Sequence, residues 1–183
     1  MKPIENYENV QASSGEFARP TAGGYVCKIV YVEDIPLDPN TNKGDYLRIE
    51  YDIADGDFKG YYKEQFDKWG GNWIASLIRS YKEKAQGMFK HFTNCIEQSN
   101  AGYEWDWNEK GLIGKVVGFV LGEEEYKNSA GEIKTKLTVN QVKTVEEIKN
   151  GDFKVPAPKK LATQPSTNDF VPLAPATDDD LPF

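Results

Sequence analysis

Between residues 21 and 154 apolar and polar positions alternate over short runs, and turn-forming residues separate the runs. Tyr25-Val26-Cys27-Lys28-Ile29-Val30-Tyr31-Val32 is β-branched and aromatic and follows Gly23-Gly24, which predicts a first strand. The stretch from Pro36 to Gly44, dense in Pro, Asp and Asn, predicts a loop. From Tyr46 to Ile53 the alternation is strict: Leu47, Ile49, Tyr51 and Ile53 share one face, Tyr46, Arg48, Glu50 and Asp52 the other. That pattern is a half-buried antiparallel strand with a polar working face. Asp55-Gly56 signals a turn, and Phe58 to Phe66, rich in Tyr and Lys, predicts a third strand. From Asn72, read as a cap, Ile74, Leu77, Ile78, Tyr81, Ala85, Met88, Phe89, Phe92 and Ile96 recur mostly at intervals of three and four, which predicts a helix bent near Gly87. Lys115 to Leu121 and Ile133 to Val139 return to strand, joined through Asn128-Ser129-Ala130-Gly131. Three strands, a helix and a two-strand hairpin is the order of a mainly β fold, a five-stranded OB-fold barrel with a helix between strands 3 and 4. Other small α+β folds share that order.

The flanks differ from this core. Residues 1–20 are polar and aperiodic and read as an N-terminal arm. Six prolines fall between Val155 and Phe183, too many for a helix or a central strand. The reading is a disordered Pro-rich linker over 155–177 and a distinct acidic peptide, Asp178-Asp179-Asp180-Leu181-Pro182-Phe183. The domain proper spans 21–154.

Composition narrows the chemistry. The chain carries 22 basic and 29 acidic side chains, a net charge of -7, which argues against a surface coated throughout in nucleic acid but leaves room for a local basic groove. Two cysteines, Cys27 and Cys95, and one histidine, His91, lack the spacing of a structural zinc module, and no metal or other cofactor is expected. No phosphate-binding loop, nucleophile elbow or HExxH motif is present, so an enzyme is not expected. His91 and Cys95 stand one helical turn apart, but a helical His beside a buried Cys is the plainer account. Asp52 with Asp55, or Glu123-Glu124-Glu125, could hold a metal; such runs are more often solvated strand ends and loops. The opening residues lack the apolar core of a secretory signal, and no apolar run reaches membrane-spanning length. The expectation is a soluble, cytoplasmic protein with reduced thiols and no membrane partner.

The segment 57–92 stands out against the acidic whole. It interleaves Phe58, Tyr61, Tyr62, Phe66, Trp69, Trp73, Tyr81, Phe89 and Phe92 with seven basic side chains, against four acidic ones. Rings stack on bases while cations neutralise phosphates, so this mixture suits single-stranded nucleic acid, at about 1–3 kcal/mol per stacked base. The candidate contacts are Tyr46 and Arg48 on the polar face of the second strand, with Lys59, Tyr61, Tyr62, Lys63, Lys68, Trp69, Trp73, Arg79 and Lys82. Tyr81, Phe89 and Phe92 occupy helical core positions. A second cluster, Tyr103-Glu104-Trp105-Asp106-Trp107, could be a sugar-stacking platform, although packing explains it as well.

The acidic peptide, on a Pro-rich tether behind a β-rich domain, resembles the tip of bacterial single-stranded-DNA-binding proteins. Ser80-Tyr81-Lys82-Glu83-Lys84-Ala85, Tyr103-Glu104-Trp105-Asp106-Trp107 and Gly122-Glu123-Glu124-Glu125-Tyr126 are similar to small phage or prophage proteins of that functional class. The resemblance implies sequence-independent coating of single-stranded DNA in phage replication, recombination or repair, in the host cytoplasm. It also implies recruitment of replication and recombination proteins by residues 178–183. The physics of the tip agrees: three carboxylates and the terminal carboxylate suit a basic rim, while Leu181 and Phe183 suit an apolar pocket and Pro182 limits the entropy lost on docking. An adaptor that borrows the tip without binding DNA, a carbohydrate-binding module and a metal-dependent nuclease are the competing readings. Exposed strand edges would also permit a homo-oligomer.

Overall fold

The structure, a computed structural model, describes residues 18–41 and 43–161. Most of the predicted arm, the linker from 162 onward and the tip 178–183 lie outside the described residues. The elements run β1 (Gly23–Ile35), β2 (Tyr46–Ile53), α1 (Tyr61–Trp69), β3 (Ser76–Ser80), α2 (Gln86–Ser99), β4 (Val116–Lys127), β5 (Ile133–Lys143) and α3 (Val145–Asn150). All the pairings are antiparallel, and they build one five-stranded sheet in the order β3-β2-β1-β4-β5. The fold is therefore mainly β, with a helix after the third strand.

β1 is shared between two ladders: Gly23 to Lys28 pairs with β4, and Cys27 to Ile35 pairs with β2. Val30 is the extra residue of a bulge in β1, and the β4–β5 ladder shifts at Val120/Leu121. Bulges bend a strand and increase its twist, so the sheet curls round its apolar face. Tyr51 meets Phe119 edge-on at 4.8 Å at the centre of that face. α2 packs on β3, β4 and β5 and seals Phe92 and Ile96 into the same core. The edge strands β3 and β5 come close to each other but share no ladder, so the sheet is not closed.

Two expected elements are different. Phe58 to Phe66 is not a strand; the chain turns at Gly60, whose φ of 78° suits glycine, and Tyr61 to Trp69 form α1. The Asp52 carboxylate on β2 accepts the backbone N–H groups of Tyr62 and Lys63 at 3.0 and 3.2 Å, satisfying donors that a helix start leaves open. The aromatic content of the segment suggests a strand, whereas the three- and four-residue spacing of Phe58, Tyr61, Tyr62 and Phe66 is helical. Conversely, the helix expected from Asn72 begins at Gln86, and Ser76 to Ser80 form β3. Ala75 and Leu77 are buried while Ile74 and Ile78 are exposed, a period of two imposed by pairing with β2.

The start of the predicted linker is tied to the sheet. β1 begins at Gly23, which leaves the backbone of β4 open beyond Leu121. Lys159 lies parallel to β4 there: its N–H donates to Glu123 O, and its carbonyl accepts from Glu125 N, both at 2.9 Å. Gly24 and Gly122 make room for Phe153 and Pro156, which occupy the space a Cβ would need. Among the described residues no helix is long and apolar enough to cross a membrane.

Candidate nucleic-acid interface

The face of β2 that carries Tyr46 and Arg48 is extended on both sides by its neighbours. The registers set three rows across β1, β2 and β3: Tyr31, Glu50 and Ser76; Glu33, Arg48 and Ile78; Ile35, Tyr46 and Ser80. Tyr31 is 44% and Ile78 53% exposed, and Tyr46 is half-buried. Arg48 lies between two carboxylates, its Nη2 donating to Glu50 and its Nη1 3.7 Å from Glu33. Its charge is thus locally compensated.

α1 stands at the Ile53 end of β2 and carries most of the other candidates. Trp69, at its last position, is 71% exposed, with the Lys68 ammonium 5.2 Å from the ring centroid. Lys59 and Lys63 are exposed, the latter paired with Asp67 one turn on. Tyr61 is half-buried, edge-on to Phe58 and Tyr62. Tyr62 is a core residue, packed edge-on against Tyr51, and burial pushes its hydroxyl pKa up. Trp73 is half-buried: its Nε1 donates to Tyr51 O at 3.0 Å and its ring packs on Phe66. Lys82 is exposed just after β3. Arg79 points the other way, its guanidinium 5.6 Å from the Phe92 ring under α2, where burial lowers its pKa.

The structure therefore brings Tyr46 and Arg48 together on one face and places Lys59, Lys63, Lys68 and Trp69 at its end. It buries Tyr62 in the core and turns the partly buried Arg79 toward Phe92 on α2. Tyr31 and Ile78 escape sequence reasoning. Strict alternation from Cys27 and Ile29 would put Tyr31 in the core, but the bulge at Val30 turns Tyr31 outward and Val32 inward. The hairpin of β4 and β5 adds a further ring among cations, with Tyr126 opposite Lys134 and the Lys136 ammonium 5.7 Å from its centroid.

At the Tyr46 end of the face the chain enters a second aromatic cluster. Tyr81 directly follows β3; its N–H donates to Asp45 O and its hydroxyl to Asp34. Tyr81 meets Phe89 edge-on at 5.7 Å, and Phe89 meets Trp105 at 6.0 Å. Trp107 stands parallel to Phe89, 10° from coplanar and 6.4 Å between centroids. Trp107 is 81% exposed and has a φ of 66°, a left-handed conformation that costs a non-glycine residue of the order of 1–3 kcal/mol. These rings, with Gln86, Lys90, Thr93, Asn94 and Glu97 on α2, line a cleft of about 600 Å³.

His91 and Cys95 lie on the opposite flank of α2. The Cys95 Sγ is 3.6 Å from His91 Nε2, and burial, then the Glu147 carboxylate, pushes the thiol up to about 11. It stays protonated at neutral pH, unlike an activated thiolate. Among the described residues no three His, Cys, Asp or Glu side chains gather as a metal site. No model of a known protein family matches the chain, and no curated protein matches it.

Proposed function

We propose that this is a sequence-independent single-stranded-DNA-binding protein built on an OB-type barrel left open between β3 and β5. The strand order, the sharing of β1 between β2 and β4, and the position of α2 between β3 and β4 support that fold reading. The observation that carries the function is the outer face of β1, β2 and β3. It presents Tyr31, Tyr46, Arg48 and Ile78, and the segment from Lys59 to Trp69, packed against β2 through α1, adds the exposed Lys59, Lys63, Lys68 and Trp69. Bases stack on the rings and phosphates meet the cations, the combination by which OB folds hold unpaired strands. Coating keeps a strand from re-pairing, and the tip 178–183 brings replication and recombination proteins to it.

The test is titration of the full chain with oligothymidine and with a matched duplex, following Trp fluorescence at two salt concentrations. Quenching by the single strand that weakens with salt is the expected result. Equal affinity for the duplex would overturn the proposal. No response to either DNA would leave the adaptor reading, in which residues 178–183 act alone.

A further inference from the structure

We propose that the cleft between Phe89 and Trp107 is a pocket for one unpaired nucleobase, at the end of the strand's path. The inference rests on the single-strand reading above and assigns a site that the face of β1, β2 and β3 does not include. Three observations carry it.

The first is the ring geometry. Phe89 and Trp107 are parallel, with ring centroids 6.4 Å apart, Phe89 buried and Trp107 81% exposed over it. Most ring pairs elsewhere in the structure meet edge-on, as Tyr51 and Phe119 do. Trp107 is exposed on its loop, so a small outward swing admits a flat ring between the two. Its left-handed backbone marks a position where a strained conformation is kept although asparagine or glycine would adopt it more easily. Trp105 forms the third wall, tilted at 54° to Trp107 and 64° to Phe89.

The second is the polar lining. It holds one cation, Lys90, and one anion, Glu97, together with Gln86, Thr93 and Asn94. Such a lining suits a neutral ring with donors and acceptors on its edge, which amide side chains pair well. Among the described residues the buried Trp105 Nε1 has no hydrogen-bond partner.

The third is continuity. Ser80 pairs with Tyr46 on the outer face, and the next residue, Tyr81, already lines the cleft. The cleft therefore adjoins the Tyr46 end of that face.

The experiment compares the full chain with Trp107→Gly, Trp107→Phe and Trp69→Ala. Glycine accepts the left-handed backbone, so Trp107→Gly is expected to keep its thermal midpoint. Its affinity for oligothymidine is expected to fall about tenfold, the share of one stacked base. Trp107→Phe should recover most of that loss; comparison of it with the wild type also reads the ring if the glycine variant fails to fold. Wild-type affinity in Trp107→Gly, with Trp69→Ala weakened, would overturn the base pocket and leave the single-strand function standing. Absence of single-strand binding by the wild type would remove both. Trp fluorescence quenched by neutral oligosaccharides and lost in Trp107→Gly would reassign the cleft to sugars.

Discussion

Tyr62 and Trp69, near the two ends of α1, have opposite fates. Tyr62 is buried against Tyr51, and Trp69 is turned to solvent. Tyr62→Ala should therefore lower stability by about 3 kcal/mol, as large-to-small changes in aromatic cores do. Trp69→Ala should leave the thermal midpoint nearly unchanged and weaken oligothymidine binding by about 1–3 kcal/mol. Paired melting and binding curves separate the two effects. A Trp69→Ala chain that binds as the wild type does would move the strand's path off α1. Arg48 allows a finer test. Glu33 and the buried Glu50 compensate its charge, and the exposed pair with Glu33 is worth at most about 1 kcal/mol. Glu33→Gln should raise single-strand affinity up to about fivefold at low salt, an increase that disappears at high salt as screening grows. Unchanged affinity would mean that Arg48 touches no phosphate.

α3 is a short helix held at its start by a capping box. The Thr144 side chain accepts the Glu147 N–H while the Glu147 carboxylate accepts the Thr144 N–H at 2.8 Å. Hydrogen bonding from the Lys143 ammonium, then from the Thr144 N–H, holds the Glu147 carboxyl below its usual 4.5. A carboxylate with a folded pKa below its unfolded value stabilises the fold above about 4.5, and the contribution is lost as pH falls through the folded value. Glu147→Ala should thus melt lower than the wild type at pH 7, by an amount near the typical cap value of about 1 kcal/mol. The gap should close on acidification below 4.5, read as two melting series against pH. A gap that persists in acid would trace the loss to packing instead. The elements also show where periodicity is decisive. Tyr46 to Ile53 is the strand its pattern predicts, but its polar face is open only at Tyr46 and Arg48: Glu50 and Asp52 are buried, Asp52 at the start of α1. Residues 61–69 and 76–80 are short and rich in aromatic or branched side chains, so both periods fit them. A cap from Asp52 settles the first and pairing with β2 the second.

The fold extends past the point where composition turns Pro-rich. Lys159 bonds to β4, Gln141 Nε2 donates to Lys154 O, and Leu161 N donates to Glu125. A chain ending at Leu161 should keep the full chain's thermal midpoint, whereas one ending at Lys154 should melt several degrees lower because the β4 backbone at Glu123 and Glu125 loses its bonds to Lys159. Equal midpoints would show that the strap adds no stability. Binding of oligothymidine by the Leu161-ended chain also isolates the domain's DNA affinity from any effect of the acidic segment.

Alternation, turn residues and the proline-rich flank are local properties, and they suffice for a mainly β domain, the face of β2 and the position of the basic-aromatic segment. Charge and ring content are likewise written in the chain, which is why segment 57–92 is visible against a net charge of -7. Which rings turn outward depends on contacts between distant residues. The bulge at Val30 reverses the phase of β1 and exposes Tyr31, α1 buries Tyr62 while presenting Trp69, and α2 covers Arg79. The parallel pair Phe89 and Trp107 joins residues eighteen positions apart on a helix and a loop. No local pattern encodes such a pairing, because its geometry is set by how α2 seats on the curled sheet.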